Sequence, residues 1–72
     1  MYYVKENSEV RRVLNGFVEV FLPVSGRWVQ THEDRTDLAD FIKVETPQDL
    51  IMDHYGLLPM SIYTAFFLHF NS

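Results

Sequence analysis

Residues 10–22 read Val10-Arg-Arg-Val-Leu-Asn15-Gly16-Phe-Val-Glu-Val-Phe-Leu22, and this stretch decides the fold. Its centre, Asn15-Gly16, predicts a type I′ turn, because such a turn needs positive φ at both central positions. Apolar and polar residues alternate around the turn, which is typical of paired antiparallel strands. The pairing places Arg12 opposite Glu19, and an opposite-charge pair favours this register. The sequence therefore predicts a β-hairpin here.

Two further strand signals flank the hairpin. Tyr2–Lys5 precedes the polar turn Glu6-Asn7-Ser8, and the turn Ser25-Gly26 precedes Arg27-Trp28-Val29-Gln30. Both turns are built from residues that favour chain reversal. We therefore predict that residues 1–31 form an antiparallel meander.

The predicted register makes both faces of this meander apolar. One face gathers Val13, Val18, Val20, Leu22 and Val29, with Arg11 on its rim. The other face gathers Val10, Leu14, Phe17, Phe21 and Trp28 around the pair Arg12–Glu19. Because an antiparallel sheet usually carries one polar face, we expect both of these faces to need cover.

Residues 32–72 carry helix signals. Thr36 is placed to cap a short helix over Asp37–Lys43, and Thr46-Pro47 places an N-cap residue before a first-turn proline. Residues 60–70 fit a helical stripe and also an alternating strand; the opening Pro59 favours the helix, which we predict. The expected fold class is α+β, a three- to four-stranded antiparallel meander packed against two or three short C-terminal helices. Residues 1–72 are predicted to be a single domain.

The composition predicts a small, cysteine-free protein with abundant apolar surface. The chain has 72 residues, no cysteine, 47% hydrophobic residues and a formal net charge of −4. A chain of this size buries only about 60% of its unfolded surface, so self-association is one expected remedy for a marginal core. The absence of cysteine excludes disulfides and thiolate metal sites, and it favours an intracellular location.

The negative charge is concentrated after residue 31. The candidate residues for an acidic face are Glu33, Asp34, Asp37, Asp40, Asp49 and Asp53. Such a surface repels phosphate, so nucleic acid is not the expected partner. It leaves open a second hypothesis, an acidic inhibitor that binds a basic nucleic-acid-binding protein.

A third hypothesis comes from the spacing of a helix-turn-helix. Met52, Gly56, Leu57, Ile62 and Ala65 occupy positions typical of that motif. However, Met52 is bulky where close helix packing favours a smaller residue, and residues 60–70 contain neither lysine nor arginine. Because phosphate contacts supply most of the affinity for DNA, a transcriptional regulator is the least favoured of the three.

No motif in the sequence indicates catalysis. His32-Glu33-Asp34, Asp53-His54 and His69 lack a spacing that would bring three metal ligands together. The three glycines are accounted for by turns and a helix end, so no phosphate-binding loop is predicted. We expect no enzymatic activity, no metal and no cofactor. Met1–Glu6 lacks the features of a signal peptide, no apolar run reaches the roughly 20 residues of a membrane span, and the expected location is the cytoplasm.

Aromatic residues are the remaining candidates for function, as contacts in a protein interface. The interface candidates are Phe17, Phe21, Trp28, Tyr63, Phe66, Phe67 and Phe70. Aromatic side chains are enriched at protein interfaces. The alternative is that the sheet face and the tail cover each other within one molecule. The first hypothesis is therefore a non-enzymatic protein-interaction module that forms a homodimer.

The meander ending Ser25-Gly26-Arg27-Trp28-Val29, followed by a polar link and a Thr-initiated acidic helix, resembles small uncharacterised proteins encoded by phages and Gram-positive bacteria. The resemblance covers residues 2–56. It implies an accessory or host-interaction protein, and it carries no catalytic residues to this chain.

Overall fold

The structure is a computed structural model that describes the backbone of residues 1–54 and 56–71 and the side chains of residues 1–50 and 56–68. It contains an antiparallel sheet and two α-helices. The strands are β1 (Tyr2–Val4), β2 (Arg11–Leu14), β3 (Phe17–Leu22), β4 (Arg27–Gln30) and β5 (Ile42–Val44). The helices are a 3-10 helix (Arg35–Leu38), α1 (Pro47–His54) and α2 (Met60–Asn71). The α+β class is confirmed.

The hairpin at residues 10–22 is confirmed with the predicted register. Arg12 pairs with Glu19 across β2 and β3, and its Nε donates to Glu19 Oε1 at 2.6 Å. Asn15 and Gly16 have φ of 52° and 83°, as the type I′ turn requires. Local turn chemistry therefore sets the register of the central strands.

The sheet has five strands in the order β4-β3-β2-β1-β5, which is more than predicted. The predicted helix over Asp37–Lys43 is wrong: a 3-10 helix ends at Leu38, and β5 follows it. Asp34 and Asp37 form a capping box that starts the helical turn earlier than Thr36 would. Ile42–Val44 then pairs with the free edge of β1, so the part of the chain predicted to be helical returns to the sheet.

The other two predicted helices are confirmed. Thr46 Oγ1 accepts a hydrogen bond from the backbone N–H of Asp49 at 3.1 Å, which caps α1. Residues 60–71 form a helix and not a strand, and the carbonyl of Pro59 accepts hydrogen bonds from the amides of Ile62 and Tyr63.

The core lies between one face of the sheet and the two helices. It is formed by buried residues of the sheet and of the helical segment: Val4, Val10, Phe21, Val44, Leu50, Leu58, Tyr63 and Phe66. The Phe66 ring makes edge contacts with Tyr2 and Phe21, with centroids 5.4 Å apart in each pair. The part of the aromatic face around Phe21 is therefore covered by the chain itself, whereas Leu14 and Phe17 beside the hairpin turn are exposed.

Candidate interaction surface

Three of the aromatic interface candidates lie in the core. Phe21, Tyr63 and Phe66 are buried, because α2 lies on the aromatic face of the sheet. Trp28 is half-buried against the same core, and its ring lies 5.3 Å from that of Phe21. Phe21, Tyr63 and Phe66 therefore hold the fold together and are not accessible to a partner, contrary to the prediction, whereas Trp28 keeps part of its surface exposed.

Two aromatic candidates remain at the surface, and one cannot be placed. Phe17 lies exposed beside the hairpin turn, and Phe67 lies exposed on α2. The side chain of Phe70 lies outside the described residues. Among the described candidate side chains, Phe17 and Phe67 are therefore the exposed ones.

The ring of Trp28 packs against Arg12, which forms an ion pair with Glu19. The Arg12 guanidinium carbon lies 4.3 Å from the centroid of the Trp28 ring, while Nε of Arg12 binds Glu19. Burial raises the pKa of the Tyr2 hydroxyl above its ordinary value, and the nearby positive charge of Arg12 opposes this effect. Nε1 of Trp28 is buried, and no described residue accepts a hydrogen bond from it.

Most of the candidate acidic residues serve intramolecular contacts. Glu33 accepts a hydrogen bond from Arg11 Nε at 2.9 Å, and Asp40 Oδ2 accepts one from Lys5 Nζ at 2.6 Å. Asp34 and Asp37 cap the 3-10 helix. Asp49 lies in the first turn of α1, where a negative charge is favourable, and the side chain of Asp53 lies outside the described residues. Part of the acidic charge is therefore neutralised within the molecule.

The Asp40 contact predicts a measurable change in ionisation. The hydrogen bond from Lys5 holds the pKa of the Asp40 carboxyl below its ordinary value. Because this pKa is lowered on folding, the contact stabilises the protein above the ordinary carboxyl range and is lost as pH falls through the lowered value. We expect Lys5→Met to raise the pKa of Asp40, as followed by NMR titration of the side-chain carboxyl carbons.

Asp34 is the internal control for that titration. Its carboxyl pKa is also lowered, chiefly by hydrogen bonds from the side chain and backbone of Thr36. Lys5→Met should therefore leave the pKa of Asp34 unchanged. An unchanged Asp40 pKa in this variant would show that Lys5 is not the cause.

The opposite face of the sheet is covered only in part. The segment 31–41 crosses this face: Glu33 binds Arg11, and the Phe41 ring lies 5.6 Å from the charged groups of Lys5 and Arg11. Val18 and Leu38 are buried on this side, outside the helix-side core. One half of the second sheet face is thus closed by the chain.

The other half of this face remains open along β3 and β4. Val20 pairs with Val29, and Leu22 pairs with Arg27, so the four side chains share this face. Val20 is half-buried, whereas Leu22 and Val29 are exposed. We call Val20, Leu22 and Val29 the aliphatic patch. Alternation in the sequence identified these residues as apolar, but the sequence did not show which face the helices would leave uncovered.

β4 also has backbone groups at the edge of the sheet that no described residue pairs with. The amide of Thr31 donates to the carbonyl of Val18 at 2.9 Å, and the register then directs the backbone groups of Val29 and Arg27 towards β3. The N–H and C=O groups of Trp28 and Gln30 consequently point away from the sheet. The aliphatic patch and this free edge are adjacent, because Val29 belongs to both.

The described residues form an open depression and contain no cluster of metal-ligating side chains. An open depression of about 250 Å³ lies between the turn at residues 7–9 and the start of α2, lined by Asn7, Ser8, Glu9, Pro59 and Ile62. No group of three or more metal-ligating side chains occurs in the part of the chain that the structure describes. Among the described helices, none has the length and apolar character needed to cross a membrane.

The helix-turn-helix hypothesis concerns α1 and α2. Gly56 lies between these two helices, and its φ of 95° is in keeping with a turn. Ile62 and Ala65 pack against the core, while Met60, Phe67 and Leu68 are exposed on α2. This exposed side carries no cation among its described residues, so it lacks the charge that a DNA-binding helix needs.

Comparison with known proteins found no matching family model, no matching curated protein and no matching solved structure.

Proposed function

We propose that this chain is a small non-enzymatic protein-interaction module that self-associates through the β4 side of its sheet. The observation that carries the proposal is the aliphatic patch, in which Leu22 and Val29 stay exposed beside the edge of β4 although the helices and the segment 31–41 cover other parts of the sheet. Exposed apolar residues beside an unpaired strand edge are typical of a protein contact surface. A second copy is a partner that every solution of the protein contains.

The charge of this side of the molecule supports self-association. β4 contains no acidic residue, and its cation, Arg27, forms no ion pair within the described residues. The acidic residues of the segment 31–41 lie across the other half of the same face. Two copies that meet at β4 therefore avoid placing acidic residues directly against each other.

A pair of lysine substitutions at the two edges of the sheet tests this proposal. Val29 is 43% exposed on β4, and Ile42 is 38% exposed on β5. We expect Val29→Lys to abolish self-association, because it places a charge in the contact, and Ile42→Lys to leave it intact. Sedimentation equilibrium over a concentration series up to the high micromolar range measures the effect in both variants and the wild type.

The α2 surface is the competing contact site, and Leu68→Lys tests it. If Leu68→Lys produces monomers while Val29→Lys does not, the exposed side of α2 is the interface and the proposed site is wrong. A wild-type protein that remains monomeric throughout the series would remove self-association altogether.

The acidic residues support a second candidate function, binding of a basic protein. Asp34, Asp37 and Asp40 are exposed along one segment and could present negative charge to such a partner. Binding to a basic nucleic-acid-binding protein should then weaken as salt is raised, because exposed charges are screened.

A further inference from the structure

We infer that two copies pair their β4 strands in antiparallel orientation about Val29, forming one continuous sheet. This inference rests on the proposed self-association and specifies its geometry. In this register Trp28 of one copy lies opposite Gln30 of the other, and Val29 lies opposite Val29. All the outward N–H and C=O groups of Trp28 and Gln30 then gain partners.

The register follows from which backbone groups are free. Trp28 and Gln30 are separated by one residue, so a two-fold axis at Val29 brings the donors of one strand opposite the acceptors of the other. A register centred on Trp28 places Trp28 opposite Trp28 of the other copy, and one centred on Gln30 places Gln30 opposite Gln30. In either register, some of the outward N–H and C=O groups face a loop and not a strand. Pairing about Val29 is therefore the self-complementary arrangement that uses the complete set.

The charges also fit this register. Arg27 of one copy comes opposite Thr31 of the other. Thr31 is hydrogen-bonded to Glu33, whose backbone N–H donates to Thr31 Oγ1 at 3.1 Å. Arg27 thus lies opposite an uncharged threonine at each end of the paired strands, and the two Arg27 side chains stay apart.

The other edge of the sheet is unsuited to the same pairing. The amide of Phe21 donates to the carbonyl of Val10, so Arg11 and its partner Tyr3 bond to each other. Tyr2 and Val4 then bond to β5, which leaves the backbone groups of Lys43 pointing outwards. Self-pairing about Lys43 would place two lysines opposite each other, and lysine is a residue that keeps strand edges apart.

Matched proline substitutions test the edge. Gln30→Pro removes an outward N–H that the monomer does not use, and proline is tolerated at such an edge position. We expect this variant to keep its circular dichroism spectrum and to raise the dimer Kd by roughly tenfold or more, since two hydrogen bonds are lost per dimer. Lys43→Pro makes the equivalent change on β5, and its dimer Kd should equal that of the wild type.

Cysteine substitutions test the register in the otherwise cysteine-free chain. Opposed residues of a non-hydrogen-bonded antiparallel pair have Cα atoms about 4.5 Å apart, within the range of a disulfide. Val29→Cys should therefore form a covalent dimer on mild oxidation at micromolar protein. Gln30→Cys should not, because residue 30 lies opposite residue 28 of the other copy.

The outcomes separate the inference from the function on which it rests. If Val29→Lys abolishes dimers but Gln30→Pro retains them at the wild-type Kd, the copies pack by their faces; the edge pairing is then wrong and the proposed function stands. A covalent dimer of Gln30→Cys in place of Val29→Cys would overturn the register. A monomeric wild type would overturn both proposals.

Discussion

Replacing Phe66 with alanine should remove most of the protein's free energy of unfolding at 25 °C. The Phe66 side chain is 1% exposed and contacts Tyr2, Phe21 and Trp28 through its ring. Removing a buried phenylalanine costs about 3–5 kcal/mol, through lost apolar contacts and the cavity left behind. A domain of this size has a free energy of unfolding of roughly 5 kcal/mol, so the variant retains little of it.

Phe67→Ala is the matched control on the same helix. Phe67 is 45% exposed, so its truncation should cost about 1 kcal/mol or less. Urea unfolding followed by circular dichroism measures both variants. It should be run at one low protein concentration, because self-association would add a concentration-dependent term. If the two variants lose equal free energy of unfolding, Phe66 is not buried between α2 and the sheet.

The sequence predicted the parts of the fold that depend on neighbouring residues. Asn15-Gly16 fixes its turn through backbone conformation, and the register of Arg12 and Glu19 follows from that turn alone. Thr46 caps α1 through an amide that is three residues away. In each of these cases, the interaction that decides the structure lies within a few residues and can be read from the sequence.

The sequence could not predict β5, because that strand depends on a distant part of the chain. Ile42–Val44 is short, and it is a strand because β1 offers an unpaired edge. Within the local sequence, the apolar residues Leu38, Phe41 and Ile42 also fit one side of a helix. The capping box of Asp34 and Asp37 instead starts a 3-10 helix earlier in the chain, at Arg35, and this helix ends at Leu38.

The location of the candidate site was equally non-local. Alternation in the sequence showed that both faces of the sheet are apolar, but only packing determines which face α2 covers. The aromatic face receives the aromatic side chains of α2, and Phe66 meets Tyr2 and Phe21 there. The aliphatic patch is left open as a consequence, so the candidate contact surface moves from Phe21 and Trp28 to Leu22 and Val29.

Arg12→Met should be the second most damaging of the substitutions considered, and Lys5→Met should be mild. Both cations form an ion pair of 2.6 Å, but the side chains of Arg12 and Glu19 are only 26% and 18% exposed, whereas Lys5 and Asp40 are exposed. Arg12→Met removes the ion pair and the contact with the Trp28 ring, and it leaves a largely buried carboxylate unpaired. We expect a loss of about 2–3 kcal/mol.

The Lys5–Asp40 pair is the exposed comparison, because its N–O distance is the same and both of its side chains are exposed. Lys5→Met should change the free energy of unfolding much less than Arg12→Met does, since exposed ion pairs are screened by water and salt. The double variant Arg12→Met/Glu19→Leu should recover part of the loss, because it removes the unpaired carboxylate along with its partner. Urea unfolding of the single and double variants measures these differences. If the double variant is no more stable than Arg12→Met alone, the loss comes from the Trp28 contact, and the unpaired charge of Glu19 contributes nothing.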